Sequence, residues 1–213
     1  MRTRFFEPGE RRVKICGLSR ESDARQVIEL GADALGFNFW SQSKRYLEPA
    51  GAIPWIQQLP GDATRVAVVV NPDIELLAFL RVAGCFDAIQ FHGDETPEFC
   101  ERQGAPRWIK AYPVRPENQE LPDIYATGDF LLDSPSVGYG GSGEAADWTL
   151  AADFVRARPS SRFTLAGGLT PANVFEAVAA VQPHGVDVAS GVEVSPGVKD
   201  LSKVREFIVQ AKG

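Results

Sequence analysis

The chain has little of the two residue types that most often bind structural metals or form disulfides. Its 213 residues include three cysteines and two histidines. The cysteines, Cys16, Cys85 and Cys100, are odd in number and lack the paired spacing of zinc ligands. The composition therefore predicts no disulfide framework and no metal site, and it is typical of a protein of the reducing cytoplasm.

The sequence also lacks long hydrophobic runs and an excess of positive charge. Its apolar segments are far too short to cross a bilayer, and the first 12 residues have no apolar stretch typical of a secretion signal. The net charge is −6 and the isoelectric point is about 5.1. Because an acidic chain repels phosphate backbones, we expect neither nucleic acid nor a membrane as a partner.

What the sequence does contain is a regular alternation of apolar segments and amphipathic segments. Strands that alternate with helices pair in parallel through crossovers, so the pattern predicts an α/β protein with the fold of a (β/α)8 TIM barrel. The predicted strands are residues 13–16, 34–39, 65–70, 88–91, 108–112, 130–133, 163–166 and 186–189. The clearest helical periodicity lies in residues 23–30, 74–82, 172–181 and 201–211.

Length and composition predict a single domain. Hydrophobic residues make up 44% of the chain, which is enough for one core, and no linker-like segment divides the sequence. We expect residues 1–12 to form an N-terminal extension, either ordered or disordered, and residues 13–213 to form the barrel. Pro113, Pro116 and Pro122 follow strand 5, so the helix between strands 5 and 6 is expected to be short or irregular.

Glycine-rich loops follow the last three predicted strands. Gly167-Gly168 after strand 7 and Ser190-Gly191 after strand 8 let backbone N–H groups approach a ligand, and TIM barrels commonly hold a phosphate at these loops. A short extra helix is expected after Ser190-Gly191. Tight turns are the alternative for either loop alone. After strand 6, Gly141 and Gly143 belong to a Gly-Gly-Ser-Gly loop that either folds over the ligand or is an ordinary surface loop.

Two groups able to move protons stand at strand ends. Cys16 ends strand 1 with Lys14 on the same face, and a thiol there acts as a base or nucleophile if nearby positive charge lowers its pKa. Asp133 ends the apolar strand 6, where partial desolvation suits a carboxyl group to general acid catalysis. The alternatives are a small buried apolar residue and a turn carboxylate, respectively. For Cys85 and Cys100 we expect the buried apolar role.

A basic loop and an acidic turn complete the candidate clusters. Arg45, after strand 2, can bind a substrate carboxylate or phosphate, whereas the adjacent Lys44 is expected to be an ordinary solvated side chain. His92 and the acidic pair after it form either a structural turn that opens a helix or part of a catalytic site. His184 precedes strand 8, so we expect it at the surface of the opposite end of the barrel.

These segments, taken in chain order, resemble those of the phosphoribosylanthranilate isomerases. The resemblance runs from residue 13 to the C-terminus and covers six loops, which makes it far more specific than any single glycine motif. The segments that carry it are Lys14-Ile15-Cys16-Gly17, residues 39–45, residues 90–95, Leu132-Asp133 with residues 140–143, residues 165–169, residues 187–193 and Pro196-Gly197 with Lys199-Asp200.

The resemblance implies a specific reaction and specific residue roles. Members of this family catalyse an Amadori rearrangement in tryptophan biosynthesis, from N-(5′-phosphoribosyl)anthranilate to 1-(2-carboxyphenylamino)-1-deoxyribulose 5-phosphate, with no metal or redox cofactor. By this resemblance, Cys16 is the general base that removes the C2′ proton, and Asp133 is the general acid that protonates the furanose ring oxygen. Arg45 matches the residue that holds the anthranilate carboxylate.

Further roles follow from the same resemblance. The loops that contain Gly168 and Ser190-Gly191 are expected to hold the phosphate, and Asp187 is a weaker candidate for a contact with the sugar. The partner is therefore a small phosphosugar substrate, and the chain is expected to be a monomer or a homodimer.

The chain departs from the family pattern at two loop positions. Glu144 stands where members often have Lys or Thr, and Ala189 stands where many have Ser. Two alternatives also stay open. Another phosphosugar TIM-barrel enzyme would be expected to use lysine and glutamate at strand ends, and a non-catalytic barrel that binds a phosphorylated metabolite would be expected to lack the acid or the base.

Overall fold

The computed structural model describes residues 2–103, 107–115, 125, 127–134 and 146–213. Eight parallel strands pair in chain order and close into a barrel, because β1 pairs with β8 as well as with β2. The predicted TIM barrel is confirmed. The strands are β1 (Arg12–Ile15), β2 (Ala34–Asn38), β3 (Thr64–Val69), β4 (Ala88–Phe91), β5 (Trp108–Pro113), β6 (Asp129–Asp133), β7 (Arg162–Leu165) and β8 (Gly185–Val188).

Helices cover the outside of the barrel. Those described are α1 (Glu21–Glu29), α2 (Pro49–Gln57), α3 (Ile74–Ala83), α4 (Pro97–Gln103), α5 (Trp148–Ala157), α6 (Val174–Val181) and α7 (Leu201–Lys212). Carboxylates cap several N-termini, as Asp73 does by accepting from the Leu76 N–H at 2.7 Å. The short helix expected after strand 8 is a 3₁₀ turn, Ser190–Val192, and it leads into a small antiparallel hairpin, β9 (Glu193–Ser195) and β10 (Val198–Lys199).

Two points about helices concern the described part of the chain. Most of the segment between β5 and β6, where we expect a short or irregular helix, lies outside the described residues. No helix in the described part of the chain is long and apolar enough to cross a membrane.

Strand residues alternate between two apolar layers. Phe130 and Leu132 of β6 pack in the outer layer, between the sheet and the helices, whereas Leu131 belongs to the cluster inside the barrel. Small and β-branched residues dominate the interior cluster, as expected where eight strands converge. Its strand and strand-end members are Ala34, Val66, Val68, Ala88, Ile109, Ala111, Leu131 and Ala166.

The N-terminal segment closes the bottom of this interior. Residues Arg4–Phe6 form a 3₁₀ turn, and Phe5 and Phe6 are buried within the interior cluster. The Phe5 N–H donates to Thr64 Oγ1 at 3.2 Å, and His184 Nε2 lies 2.7 Å from the Phe5 carbonyl oxygen. At the surface position expected for His184, the imidazole is therefore only partly exposed, because it anchors this segment. Residues 3–6 therefore form a plug at the end of the barrel opposite the carboxyl ends of the strands.

We predict that truncating the plug destabilises the whole barrel. Phe5 is 2% exposed, so Phe5→Ala leaves a cavity in the interior cluster and should lower the free energy of unfolding by about 3–5 kcal/mol. Urea denaturation followed by circular dichroism measures the change. Phe79→Ala is the matched control, because that ring is 47% exposed and its loss should cost much less. Equal stability of the two variants would contradict a structural role for the plug.

Candidate active site

One pocket opens at the carboxyl end of the strands, opposite the plug. Parallel strands in a barrel present the side chains that follow their last residues to a common opening, which is why residues distant in the chain meet there. The pocket is lined by Cys16, Arg45, Asp133, Asp187, Gly167, Gly168 and Ser190, all of which are sequence-predicted site residues. Gly141 and Gly143 lie outside the described residues, and Lys44 is exposed, as expected.

Cys16 sits directly above a buried ion pair. It is the first residue after β1, and its N–H donates to the Val188 carbonyl of β8 at 2.8 Å. Two residues earlier, Lys14 is fully buried, and its Nζ donates to Asp187 Oδ1 at 2.9 Å. Gly36 of β2 makes room for both side chains, since a Cβ there would lie 2.7 Å from Cys16 Sγ and 3.1 Å from Lys14 Nζ. The thiol and the ammonium group are therefore close neighbours.

The electrostatics of Cys16 combine opposing effects. Burial raises the pKa of the Cys16 thiol, the positive charges of Lys14 and Lys199 lower it, and Asp187 raises it again. The net pKa of Cys16 lies above the ordinary value. The two lysines lower the thiol pKa, as expected of nearby positive charge, but burial and Asp187 together raise it by more. Burial also lowers the pKa of Lys14, but Asp187 and Cys16 outweigh burial, and Lys14 remains protonated.

Arg45 is held by a carboxylate that the sequence analysis did not single out. Its Nε and Nη2 donate to the two oxygens of Glu193 at 2.9 and 2.7 Å. The hydrogen bonds that Arg45 donates to Glu193 raise the pKa of Arg45 above its ordinary value. Gly17, which follows the thiol, has a φ of +72° and lies so close to Arg45 Cδ that any Cβ would clash. The guanidinium therefore lies in one orientation, with Nη1 unbonded among the described residues.

Glu193 is shared between two cations. Lys199 Nζ donates to Glu193 Oε1 at 2.9 Å and to the carbonyl oxygen of Cys16 at 2.6 Å. Burial raises the pKa of Glu193, but the hydrogen bonds from Arg45 and Lys199 outweigh it, and the net pKa lies below the ordinary value. The hairpin of β9 and β10 thus connects the guanidinium to the backbone of the thiol.

Asp133 has a different partner on each oxygen. Its Oδ1 accepts from the Ser134 N–H at 2.8 Å, and its Oδ2 lies 3.1 Å from His92 Nε2. His92 Nδ1 in turn lies 3.1 Å from Gln90 Nε2. His92 and Gln90 both line the pocket. His92 was expected either in a structural turn or in a catalytic site, and the structure places its imidazole beside the candidate acid, Asp133.

The two glycine loops meet at the rim of the pocket. Gly167 and Gly168 have φ values of +83° and +62°, which disfavour any side chain. A Cβ on Gly167 would lie 2.6 Å from the Ser134 N, and one on Gly191 would clash with the Leu169 carbonyl. Gly191 therefore lets the loops after β7 and β8 pack together, whereas Gly167, Gly168 and Ser190 face the pocket.

Comparison with known proteins decides among the TIM-barrel enzymes that this geometry allows. The sequence profile of the family described as N-(5'phosphoribosyl)anthranilate (PRA) isomerase matches residues 13–210. The chain belongs to this family. Within the described residues of this isomerase, no group of three or more His, Cys, Asp or Glu side chains could hold a metal ion.

Individual relatives agree along nearly the whole chain. N-(5'-phosphoribosyl)anthranilate isomerases of Geobacter sp. (strain M21) and Thermotoga neapolitana are 44% and 43% identical, over 94% and 95% of this chain and 98% of each relative. The crystal structure of phosphoribosyl anthranilate isomerase from Thermotoga maritima has a TM-score of 0.82 and 39% identity, and the match covers 95% of this chain and 99% of that one.

A further solved isomerase carries a ligand. It is in complex with reduced 1-(o-carboxyphenylamino)-1-deoxyribulose 5-phosphate, and it is 36% identical with a TM-score of 0.79 over 95% of this chain and 99% of that one.

Four residues that shape this isomerase's pocket were not predicted from the sequence. Glu193 and Lys199 were inside the segments that carry the family resemblance, but nothing local to them indicated that they bind Arg45 and the Cys16 backbone. Gly36 could have been predicted, because a glycine inside a strand often marks a place where other groups approach the backbone closely. Nothing in the sequence indicated a role for Gln90, since a polar side chain in a strand is normally expected to point to solvent.

We predict that Lys14→Met and Asp187→Asn shift the titration of Cys16 in opposite directions. Loss of the lysine charge should raise the thiol pKa, and loss of the aspartate charge should lower it. The pH dependence of alkylation by iodoacetamide, with the site located by peptide mass spectrometry, measures both shifts; Cys85 and Cys100 are buried.

The control for this experiment is Lys110→Met. Lys110 is an equally buried lysine whose Nζ bonds Glu95 at 2.8 Å, and it should leave the midpoint of Cys16 alkylation unchanged. Shifts of the same sign in the first two variants would mean that disturbed packing, and not charge, governs the thiol.

Proposed function

We propose that this chain converts N-(5′-phosphoribosyl)anthranilate to 1-(2-carboxyphenylamino)-1-deoxyribulose 5-phosphate with its own side chains and no cofactor. The reaction is an aldose–ketose isomerisation, formally an intramolecular oxidoreduction, in tryptophan biosynthesis. The proposal rests on one observation: the thiol that follows β1 and the carboxyl group at the end of β6 line one pocket together with an oriented arginine. An Amadori rearrangement needs one acid and one base in these positions.

Asp133 is the general acid that opens the ring. Its Oδ1 accepts a backbone N–H, so Oδ2 is the oxygen that carries and delivers the proton. As the furanose oxygen takes this proton, the C1′–O bond breaks and the anthranilate nitrogen forms an iminium ion with C1′. The positive iminium then acidifies the C2′–H bond.

Cys16 is the general base in the second step. Its thiolate takes the C2′ proton, the electron pair of that bond forms the C1′=C2′ double bond, and the iminium becomes an enamine. Tautomerisation of this enolamine to the ketone completes the reaction. Because the pKa of Cys16 is raised, only a small fraction of the resting protein carries the thiolate, and the ammonium group of Lys14 supports that fraction.

The rest of the pocket binds the two ends of the substrate. The unbonded edge of Arg45 suits the anthranilate carboxylate, since Glu193 already orients the opposite edge. The glycine loops with Gly167, Gly168 and Ser190-Gly191 suit the phosphate, and the loop with Gly141 and Gly143 would cover it. Asp187 is a candidate sugar contact through the oxygen that does not bond Lys14.

The proposal extends to partners and location. The substrate is a small phosphosugar, and we expect a cytoplasmic enzyme that binds neither nucleic acid nor membranes. A monomer and a homodimer are both consistent with the family, since one solved relative, from Thermotoga maritima, is described as dimeric and was studied as monomers.

The decisive experiment is turnover of freshly made phosphoribosylanthranilate, followed by the decay of its fluorescence. The unchanged chain should be active. Cys16→Ala should abolish turnover, and Asp133→Asn, which keeps the shape but delivers no proton, should lower kcat by about 100-fold or more with little change in KM. Cys85→Ala is the control and should stay active. A fully active Cys16→Ala variant would remove the thiol from the mechanism, and an unchanged chain without turnover would point to another phosphosugar TIM-barrel enzyme or to a phosphometabolite-binding barrel.

We predict that the ion pair behind the pocket acts on substrate binding. Arg45→Met should raise KM by about 10- to 150-fold, equivalent to about 1.5–3 kcal/mol of lost charge-assisted hydrogen bonding, with a smaller effect on kcat. Glu193→Gln keeps one acceptor for Arg45 and should raise KM less. Steady-state kinetics on both variants measures the effects. A fall in kcat at constant KM would instead place Arg45 at the reacting atoms.

A further inference from the structure

The side chains of Gln90, His92 and Asp133 form a continuous hydrogen-bonded row along the pocket wall. We propose that His92 and Asp133 act as one acid, in which His92 stores the proton that Asp133 delivers to the ring oxygen and Gln90 adjusts to either state of the imidazole. This inference rests on the proposed function, and it assigns the proton supply of the same site.

The geometry leaves one route for the proton. Asp133 Oδ1 is committed to the Ser134 N–H at 2.8 Å, so the acidic proton resides on Oδ2. That oxygen faces His92 Nε2 at 3.1 Å, which is hydrogen-bond distance. A proton can therefore pass from Nε2 to Oδ2 without movement of either backbone.

Gln90 can bond the imidazole in both of its protonation states. Its side chain is 1% exposed, its Nε2 lies 3.1 Å from His92 Nδ1, and its Oε1 has no hydrogen-bond partner. A half-turn of the amide exchanges the two groups and breaks no other bond of Oε1. The NH2 group then serves a neutral imidazole that accepts at Nδ1, and the oxygen serves an imidazole that donates from Nδ1.

The proton balance of the row is simple. The imidazolium gives its Nε2 proton to Oδ2, which leaves a neutral imidazole with Nδ1–H bonded to the Gln90 oxygen. Asp133 passes that proton to the ring oxygen and becomes a carboxylate. A proton from solvent then returns to His92, whose side chain is 19% exposed. His92 acts through Asp133, so it is a positioning residue in this scheme.

The backbone at His92 is held firmly from behind. The His92 N–H donates to the Val69 carbonyl at 2.9 Å, and the next N–H, of Gly93, donates to both oxygens of the buried Glu95 at 3.0 and 3.2 Å. Lys110 Nζ bonds the Gly93 carbonyl at 2.6 Å and Glu95 at 2.8 Å. The imidazole is thus presented to Asp133 by a strand end that has little freedom.

Several other charged groups surround this row. Cys16 from β1, Arg45 from the loop after β2 and Asp187 from β8 line the same pocket. Asp94 on the loop of His92 is exposed, and the paired Glu95 and Lys110 lie behind that loop. Among the described residues, Asp133 is the one carboxylate within ion-pair distance of the imidazole.

A proton store matters because Asp133 is left as a carboxylate when the ring opens and has to be protonated again before the next turnover. His92 holds the replacement proton 3.1 Å from Oδ2, so Asp133 takes it from a neighbouring side chain and not from bulk water.

The kinetic test uses His92→Gln, which keeps an N–H donor near the position of Nε2 but cannot titrate. We expect its kcat to fall by about 100-fold near neutral pH, which is typical of the loss of a positioned proton donor, with KM within threefold of the unchanged chain. The loss should become smaller in acid, where solvent returns the proton to Asp133 directly. A merely structural role would lower kcat equally at every pH. His184→Asn, at the opposite end of the barrel, is the matched control and should leave the profile unchanged.

A second measurement needs no turnover. The chain has two histidines, so a 15N-histidine-labelled sample shows two imidazoles, and His184→Asn assigns them. The Nε2 signal of His92 should change in Asp133→Asn, because its hydrogen-bond partner changes from a carboxylate to an amide, while the signals of His184 should not move.

Clear outcomes would overturn the inference. A His92→Gln variant with kcat within threefold and the same pH profile, or a His92 Nε2 signal that is the same in Asp133→Asn, removes the shared acid. An unchanged chain that does not isomerise the substrate overturns the proposed function itself, so the two failures are distinguishable.

Discussion

The ion pair between Lys14 and Asp187 lies across the seam at which β1 and β8 close the barrel. The two residues are register partners in that ladder, and their charged atoms are 2.9 Å apart with Lys14 wholly buried. An unpaired charge in this place would destabilise the fold by about 3–5 kcal/mol, so each strand needs the other. Closure of the seam then sets Cys16, at the top of β1, beside the loop that begins at Ser190.

The other polar groups of the pocket depend on the same arrangement. The hairpin after β8 carries Glu193 and Lys199 back over the end of β1. There Lys199 donates a hydrogen bond to the Cys16 carbonyl, and Glu193 accepts hydrogen bonds from Lys199 and Arg45. On the far side, Lys110 and Glu95 form a second buried pair that supports the end of β4. Each of these cations behind the pocket, Lys14, Lys199 and Lys110, thus has a carboxylate from another element.

Burial creates a conflict that the pocket has to resolve. Exclusion of water strengthens every interaction with a charged substrate, yet it also raises the pKa of Cys16 and makes the thiolate rare. The positive charge of Lys14, which lies beneath Cys16, lowers the thiol pKa and so offsets part of the effect of burial. In our proposal, the row from Gln90 to Asp133 acts from the opposite wall, where it supplies the proton that Asp133 gives to the ring oxygen.

The sequence by itself determined the eight strands, each to within one residue at either end, because apolar alternation and the polar or glycine residues that interrupt it are local signals. Family resemblance added the thiol, the carboxyl group and the arginine as site candidates. Only the tertiary structure decided their partners: Lys14 and Asp187 are 173 residues apart, Arg45 and Glu193 are 148 apart, and His92 meets a carboxylate 41 residues away. Such contacts follow from the register of a closed sheet, which no local pattern in the chain encodes.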